Sequence, residues 1–341
     1  MRAERDYLDA ALKDFSGYIA ADELYDGPFC VLSIVDNRTF RRLVFDVLER
    51  NPTQADIERF LRHFWALITR RGLSVRGITT DGSPLYPEPI ARVFEAVPHQ
   101  VCRFHVIKDI TRATLRAVAQ VRKQIAAEKT RLPMGRPSKG HNRRLARSNA
   151  RRQRQIEDLF EHRHLFVRRE LTPGERVTLH RITRALPTLR PLREIIEEVY
   201  RLFDRRCRTE TALAKLASLR RRVTRFHRLR RVLRTLFGPL LEKALTFLDD
   251  SLLPSTSNAV ERGNRRHRKM QKSIYRARTR ANLVGRMALD LVRDEHLVAC
   301  VGTVGSLHAQ RRGRCSPGRR LRRHATAAPP IPFGRARRRA G

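Results

Sequence analysis

Two short apolar segments of the sequence each lead to an aspartate. Residues 17–22 end at Asp22, and residues 75–81 end at Asp81, directly before a Gly-Ser-Pro turn. Strands disfavour Asp, so two such acids at one sheet edge suggest a shared cation. Carboxylate and water oxygens are the ligands that Mg²⁺ and Mn²⁺ prefer. The alternative is that each acid only caps a turn, as Asp81 before Gly82 could.

Glu261 is the candidate for the third acid of such a site. Seven of the next eight positions hold cationic or amide side chains, a density typical of a phosphate-binding face. The alternative is a capping box, in which Asn258 and Glu261 only begin a helix. Asp249 and Asp250 are rival third acids, although their Leu-rich surroundings favour a role at a helix end.

Asp36 is a rival for the first position, because it also ends an apolar segment, residues 28–36. The strand count favours Asp22, because Asp22 ends the first predicted strand whereas Asp36 ends the second. Asp36 would then open the turn between the second and third strands.

The charge of the chain indicates its partner. Lys and Arg number 73 against 34 Asp and Glu, a formal net charge of +39. Arginine can simply decorate a surface, but the lack of balancing acids favours a polyanion, and nucleic acid is the obvious one. The residues predicted to contact it lie in two segments: Arg262, Asn264, Arg265, Arg266, Arg268 and Lys269 after Glu261, and Arg103, His105 and Lys108 earlier.

The order of the predicted elements indicates an α/β fold. Three strands come first, followed by a helix, a strand, a helix and a fifth strand over residues 99–107. This order predicts one mixed sheet, an antiparallel meander extended by parallel crossovers.

Four regions follow from the change of pattern along the chain. Residues 1–110 form the first part of the sheet domain, and residues 111–249, with helical apolar spacing, form a basic all-α insertion. Residues 250–298 complete the domain with a helix from Ala259 and another over 280–296. The last 43 residues, 299–341, contain 11 Arg and no acid, which predicts disorder.

Several classes of protein are excluded. No apolar run is long enough to span a membrane, and the amino terminus lacks the layout of a signal peptide. Five scattered cysteines do not suggest a disulfide framework. A cytoplasmic protein is expected.

Four motifs in order carry a resemblance to a known family. They are residues 20–23 (AADE), 79–86 (TTDGSPLY), 102–108 (CRFHVIK) and 257–265 (SNAVERGNR). Together they resemble a DDE-type insertion-sequence transposase over roughly residues 15–298. The similarity is greatest to groups that have a large helical insertion before the Glu and a Cys-x-x-His motif after the second Asp.

The resemblance implies an RNase H-like sheet, with Asp22, Asp81 and Glu261 as ligands of two Mg²⁺ or Mn²⁺ ions and no organic cofactor. It further implies cleavage and strand transfer that act on element ends and target DNA. A homo-oligomer on DNA is compatible with the resemblance. The implied location is the bacterial cytoplasm, in association with the nucleoid. Only about 20 residues precede Asp22, where such transposases carry a DNA-binding region. A copy truncated at its amino terminus is therefore expected. The alternatives are an inactive DNA-binding remnant or a metal-dependent nuclease on the same fold.

Overall fold

A five-stranded sheet forms the centre of the fold. The computed structural model describes residues 2–128, 139–224, 233–272 and 276–291. Its strands are β1 (Tyr18–Asp26), β2 (Phe29–Asp36), β3 (Arg42–Leu48), β4 (Gly77–Thr80) and β5 (His99–Val101). They lie in the order β3-β2-β1-β4-β5. β1, β2 and β3 pair antiparallel, whereas β4 is parallel to both β1 and β5. The predicted α/β class and mixed RNase H-like sheet are confirmed.

Helices surround this sheet and make up most of the other described residues. They are α1 (Arg2–Leu12), α2 (Gln54–Thr69), α3 (Pro87–Phe94), α4 (Arg103–Ala127), α5 (Lys139–Glu161), α6 (Pro173–Ala185), α7 (Arg190–Leu202), α8 (Thr209–Thr224), α9 (Pro239–Lys243), α10 (Asn258–Gln271) and α11 (residues 280–291). None of them is long and apolar enough to cross a membrane.

Two strand boundaries differ from the sequence prediction. β1 does not end at Asp22 but continues to Asp26, because Leu24 still has a buried place on the sheet and Gly27, at φ +66°, turns the chain into β2. β5 does not reach residue 107. It ends at Val101, because the apolar residues that follow recur at helical spacing and begin α4.

The sheet is covered on both faces. On one face, α1, α2 and α3 form a core with the inward side chains of the strands, including Ile19, Ile34 and Ile78. On the other face, Ala259 and Val260 of α10 pack against Ala20 of β1 and Val35 of β2, and α11 packs nearby on Leu24 and Val31. This second contact holds α10 against β1.

Between β5 and α10 the described residues form helices joined by short loops, with no strand among them. Its helices share an apolar core that also includes Tyr18 of β1 and Val101 of β5. The edge strand β5 is covered from this side, since Gln100 donates to the Ala244 carbonyl at 2.9 Å and accepts from the Phe247 amide at 2.8 Å. The division at residues 110, 249 and 298 stays a prediction. The predicted end of the last helix beyond 291 and the tail at 299–341 lie outside the described residues.

Candidate active site

The parallel pairing of β1 and β4 brings Asp22 and Asp81 to neighbouring places. Tyr18 pairs with Gly77 and Ala20 with Thr79, and continuing this register by two residues leads to Asp22 and Asp81. β4 ends at Thr80, so both carboxylates lie at the edge where β4 stops.

The acids at this edge form one cluster. Asp22, Glu23 and Asp81 each offer an oxygen, and these oxygens all lie within 4.8 Å of one another. Asp81 is held in place by the Ser83 amide, which donates to its Oδ1 at 2.8 Å. Glu23 was missed as a site residue by sequence reasoning, although its position directly after Asp22 in a buried strand was a usable signal.

Burial and like charges give this cluster a high affinity for positive charge. Burial is the main cause that raises the pKa of Asp22 well above its usual range, and the charges of Asp81, Glu23 and Glu261 raise it further. Burial and the Asp81 charge also raise the pKa of Glu23, while hydrogen bonds from Ser83 and Tyr86 lower it. Such a group of oxygens binds either protons or a cation, and its all-carboxylate chemistry fits Mg²⁺ or Mn²⁺.

Glu261 reaches the same region from the first turn of α10. Ser257 is the N-cap of this helix and makes no capping bond with its side chain, while Asn258 is the first helical residue. The capping-box alternative is therefore wrong. The Glu261 carboxylate instead lies 3.7 Å from Nε2 of His105, and its charge is one of the causes that raise the pKa of Asp22.

Asn264 connects the Glu261 helix to β1. It lies one turn after Glu261, is only 1% exposed, and its Nδ2 donates to Oδ2 of Asp22 at 2.6 Å. The prediction that Asn264 contacts DNA is therefore wrong, because its side chain is buried against a carboxylate. The sequence held no signal for this contact, which spans 242 residues of chain.

The three rival acids have structural partners instead. Asp36 is fully buried, and its carboxylate accepts from the Ser16, Arg38 and Thr39 amides at 2.8 Å each. It pairs with Ile19 near the start of β1, away from Asp22. Asp249 accepts from the Thr209 amide, and Asp250 accepts from the Tyr18 hydroxyl and the Leu252 amide.

The Cys102–His105 pair lies where β5 meets α4, not within a strand. Cys102 is the N-cap of α4 and accepts from the Ser257 amide at 3.4 Å. Burial raises the pKa of its thiol, but hydrogen bonds from His105 and Ser257 outweigh burial and lower it to about 7. The hydrogen bond with Cys102 is in turn the main cause that raises the pKa of His105.

The remaining predicted DNA-contacting residues are mostly exposed. Five of them are exposed on α10: Arg262, Arg265, Arg266, Arg268 and Lys269. Lys108 is exposed on α4, with Nζ 5.9 Å from the Phe104 ring centre. Arg103 is partly buried, with its guanidinium 5.8 Å from the Phe247 ring centre.

Comparison with known proteins adds an independent finding. The family model DDE_Tnp_ISL3, described as a transposase, matches residues 27–287. The matched range contains Asp81, the Cys102–His105 pair and Glu261, and it begins after Asp22. No curated protein and no solved structure matches the chain. Because the match spans about three quarters of the sequence, the chain belongs to the ISL3-type family of DDE transposases, which act on insertion sequences and generally use divalent metals.

Proposed function

We propose that this transposase cleaves DNA and transfers the cut strand, with Asp22, Asp81 and Glu261 as its metal-binding acids. The observation that carries the proposal is the cluster of Asp22, Glu23 and Asp81 oxygens within 4.8 Å of one another, beside the first turn of α10. Grouping acids that raise each other's pKa costs folding free energy. A bound divalent cation would offset that cost.

Each acid is positioned by a different part of the fold. Asn264 donates to Asp22, and the Ser83 amide donates to Asp81, so both carboxylates are oriented before any ion binds. Glu23, which hydrogen-bonds Ser83 and Tyr86, acts as a supporting acid. Bound Mg²⁺ or Mn²⁺ would activate a water or a DNA 3′-hydroxyl for in-line attack and stabilise charge on the scissile phosphate.

His105 and the basic face of α10 would hold the DNA strand. His105 lies beside Glu261 with a raised pKa, so its protonated ring can balance negative charge at the phosphate. The exposed Arg and Lys side chains of α10 begin directly after Glu261, and their charge favours phosphate contacts next to the acids. We assign residues 1–110 and 250–298 to this catalytic core and residues 111–249 to a basic helical insertion.

The test is a nicking and strand-transfer assay on supercoiled plasmid with an added 3′-hydroxyl oligonucleotide. Wild-type protein should cut only with Mg²⁺ or Mn²⁺, whereas Asp81→Asn and Glu261→Gln should lose cutting by about 100-fold or more. Glu23→Gln should still cut but require more metal. Asp9→Asn is the charge-matched control, because Asp9 is exposed on α1, which packs on the sheet face opposite α10, and it belongs to an ion pair with Arg71.

The products separate the alternatives. Nicking without joining of the oligonucleotide would favour a nuclease. Salt-sensitive DNA binding without any metal-dependent cutting would favour a DNA-binding remnant. Cutting that persists in EDTA or in Asp81→Asn would refute the proposed acids.

A further inference from the structure

A pocket of about 340 Å³ opens beside the proposed metal-binding acids. Its walls come from the first turns of α4 and α10, and Glu261 forms part of one wall. Its volume is near the lower end of the range for small-ligand sites. The lining residues that matter for its chemistry are Phe104, Glu261, Arg262 and Arg265.

Phe104 gives this pocket an aromatic rim. The side chain is 57% exposed. Its ring meets the His105 ring edge-on, with centroids 5.7 Å apart at 85°, and Lys108 Nζ lies 5.9 Å from its centre. An exposed ring among cations is the arrangement on which nucleic-acid bases stack.

Two arginines supply charge to the same pocket. Arg262 and Arg265 are exposed, and in the part of the chain that the structure describes neither has a carboxylate within ion-pair distance. The Arg262 guanidinium lies 4.5 Å from the ring centre of Phe40, which does not line this pocket. A contact with an aromatic ring uses the face of a guanidinium and leaves its N–H groups to donate. Both arginines can therefore bind phosphate, on the helix that also carries Glu261.

We propose that this pocket binds one unpaired nucleotide of the DNA strand, with its base stacked on Phe104 and its phosphate at Arg262 and Arg265. An aromatic ring and two guanidinium groups that have no carboxylate partner among the described residues together fit a base and its phosphate, whereas a ligand without an anionic group would leave the arginines unused. A base pair inside a duplex has both faces covered by its neighbours in the stack, so an internal base can stack on the Phe104 ring only when it is unpaired or extruded. The inference rests on the proposed function, since Glu261 would place this nucleotide next to the reacting phosphate.

The test compares DNA binding in EDTA, so that no cutting is involved. The probes are a single strand of about 12 nucleotides and a blunt duplex of equal length. Phe104→Ala should weaken binding to the single strand by about 10-fold and leave duplex binding within about 2-fold. Phe104→Trp should restore single-strand binding.

Phe160→Ala is the matched control. Phe160 is 54% exposed, and two guanidinium groups, of Arg122 and Arg163, lie about 5 Å from its ring centre, but it is on α5 and does not line the pocket. Its replacement should change neither affinity. In a second measurement, a strand containing 5-iodouracil should cross-link to Phe104 on irradiation, and the site should be identified by mass spectrometry.

The outcomes separate this inference from the proposed function. Equal single-strand binding by wild-type and Phe104→Ala protein, or cross-linking only elsewhere, would overturn the nucleotide pocket even if metal-dependent cutting is observed. Loss of single-strand binding in Phe104→Ala, together with cross-linking of the wild-type protein at Phe104, would support the nucleotide pocket even if the chain cuts no DNA. Binding of deoxyadenosine monophosphate together with no binding of the single strand would indicate a site for free nucleotides. That result would also overturn the nucleotide pocket as a DNA-strand site.

Discussion

Replacing Asn264 tests whether the helix that carries Glu261 also orients Asp22 for metal. Asn264 Nδ2 donates to Asp22 Oδ2 at 2.6 Å in a place that is 1% exposed. A hydrogen bond to a charged group is worth about 1.5–3 kcal/mol. Because about 1.4 kcal/mol corresponds to a tenfold change in an equilibrium, Asn264→Ala should weaken Mn²⁺ binding by about 10- to 100-fold. This is also the usual effect of removing a residue that orients a metal ligand.

The same helix provides a matched control. Gln271 is also a buried amide, and its Nε2 donates at 2.5 Å to Asp26, an acid outside the cluster of Asp22, Glu23 and Asp81. Gln271→Ala and Asn264→Ala should each lower the free energy of unfolding by about 1.5–3 kcal/mol. Only Asn264→Ala should shift the Mn²⁺ midpoint. Calorimetric titration with Mn²⁺ and urea unfolding of both variants measure the two effects.

Two results would refute this reasoning. If Asn264→Ala binds Mn²⁺ as tightly as wild-type protein, the Asn264 amide does not orient a metal ligand. If Gln271→Ala weakens Mn²⁺ binding equally, the effect reflects general loosening of α10 and not the contact with Asp22.

Three further predictions concern pH and salt. Burial, aided by Lys243, lowers the pKa of His99 to about 4. Because the unfolded chain then takes up this proton first, up to about 3 kcal/mol of folding free energy should be lost as the pH falls from ~6.5 toward 4. Urea midpoints of wild-type protein and His99→Gln across this pH range check the prediction. Arg50 and the helix cap at Thr53 hold the pKa of Asp56 well below its usual range, so Asp56 should stabilise the fold above pH ~4 and progressively less below it. In urea unfolding at a series of pH values, Asp56→Asn should therefore lose less stability below pH ~4 than wild-type protein does. Arg268→Gln should lower the slope of log binding constant against log salt for duplex DNA by about 1, without changing the metal requirement for cutting, as filter binding across a salt series would show.

Much of the fold could be predicted from local pattern. Apolar runs rich in β-branched residues predict β2 and β4, and helical spacing predicts α2 and α7, because burial of one face imposes a period that is visible in a short window. The boundaries were less predictable. β1 continues past Asp22 and β5 stops at Val101, since the pairing partners and the helix that follows decide where a strand ends.

The candidate site shows the same contrast between what local sequence predicts and what tertiary contacts decide. The sequence by itself determined which residue types could bind a cation and in which order they occur, since Asp22, Asp81 and Glu261 stand out in their local surroundings. Only the tertiary structure decided which acids meet. The β1–β4 register joins Asp22 to Asp81 and adds Glu23, while the packing of α10 on β1 turns Asn264 from an expected DNA contact into a buried partner of Asp22. The physical reason is that such contacts join residues up to 242 positions apart, and their geometry is set by sheet register and helix packing, which no local pattern records.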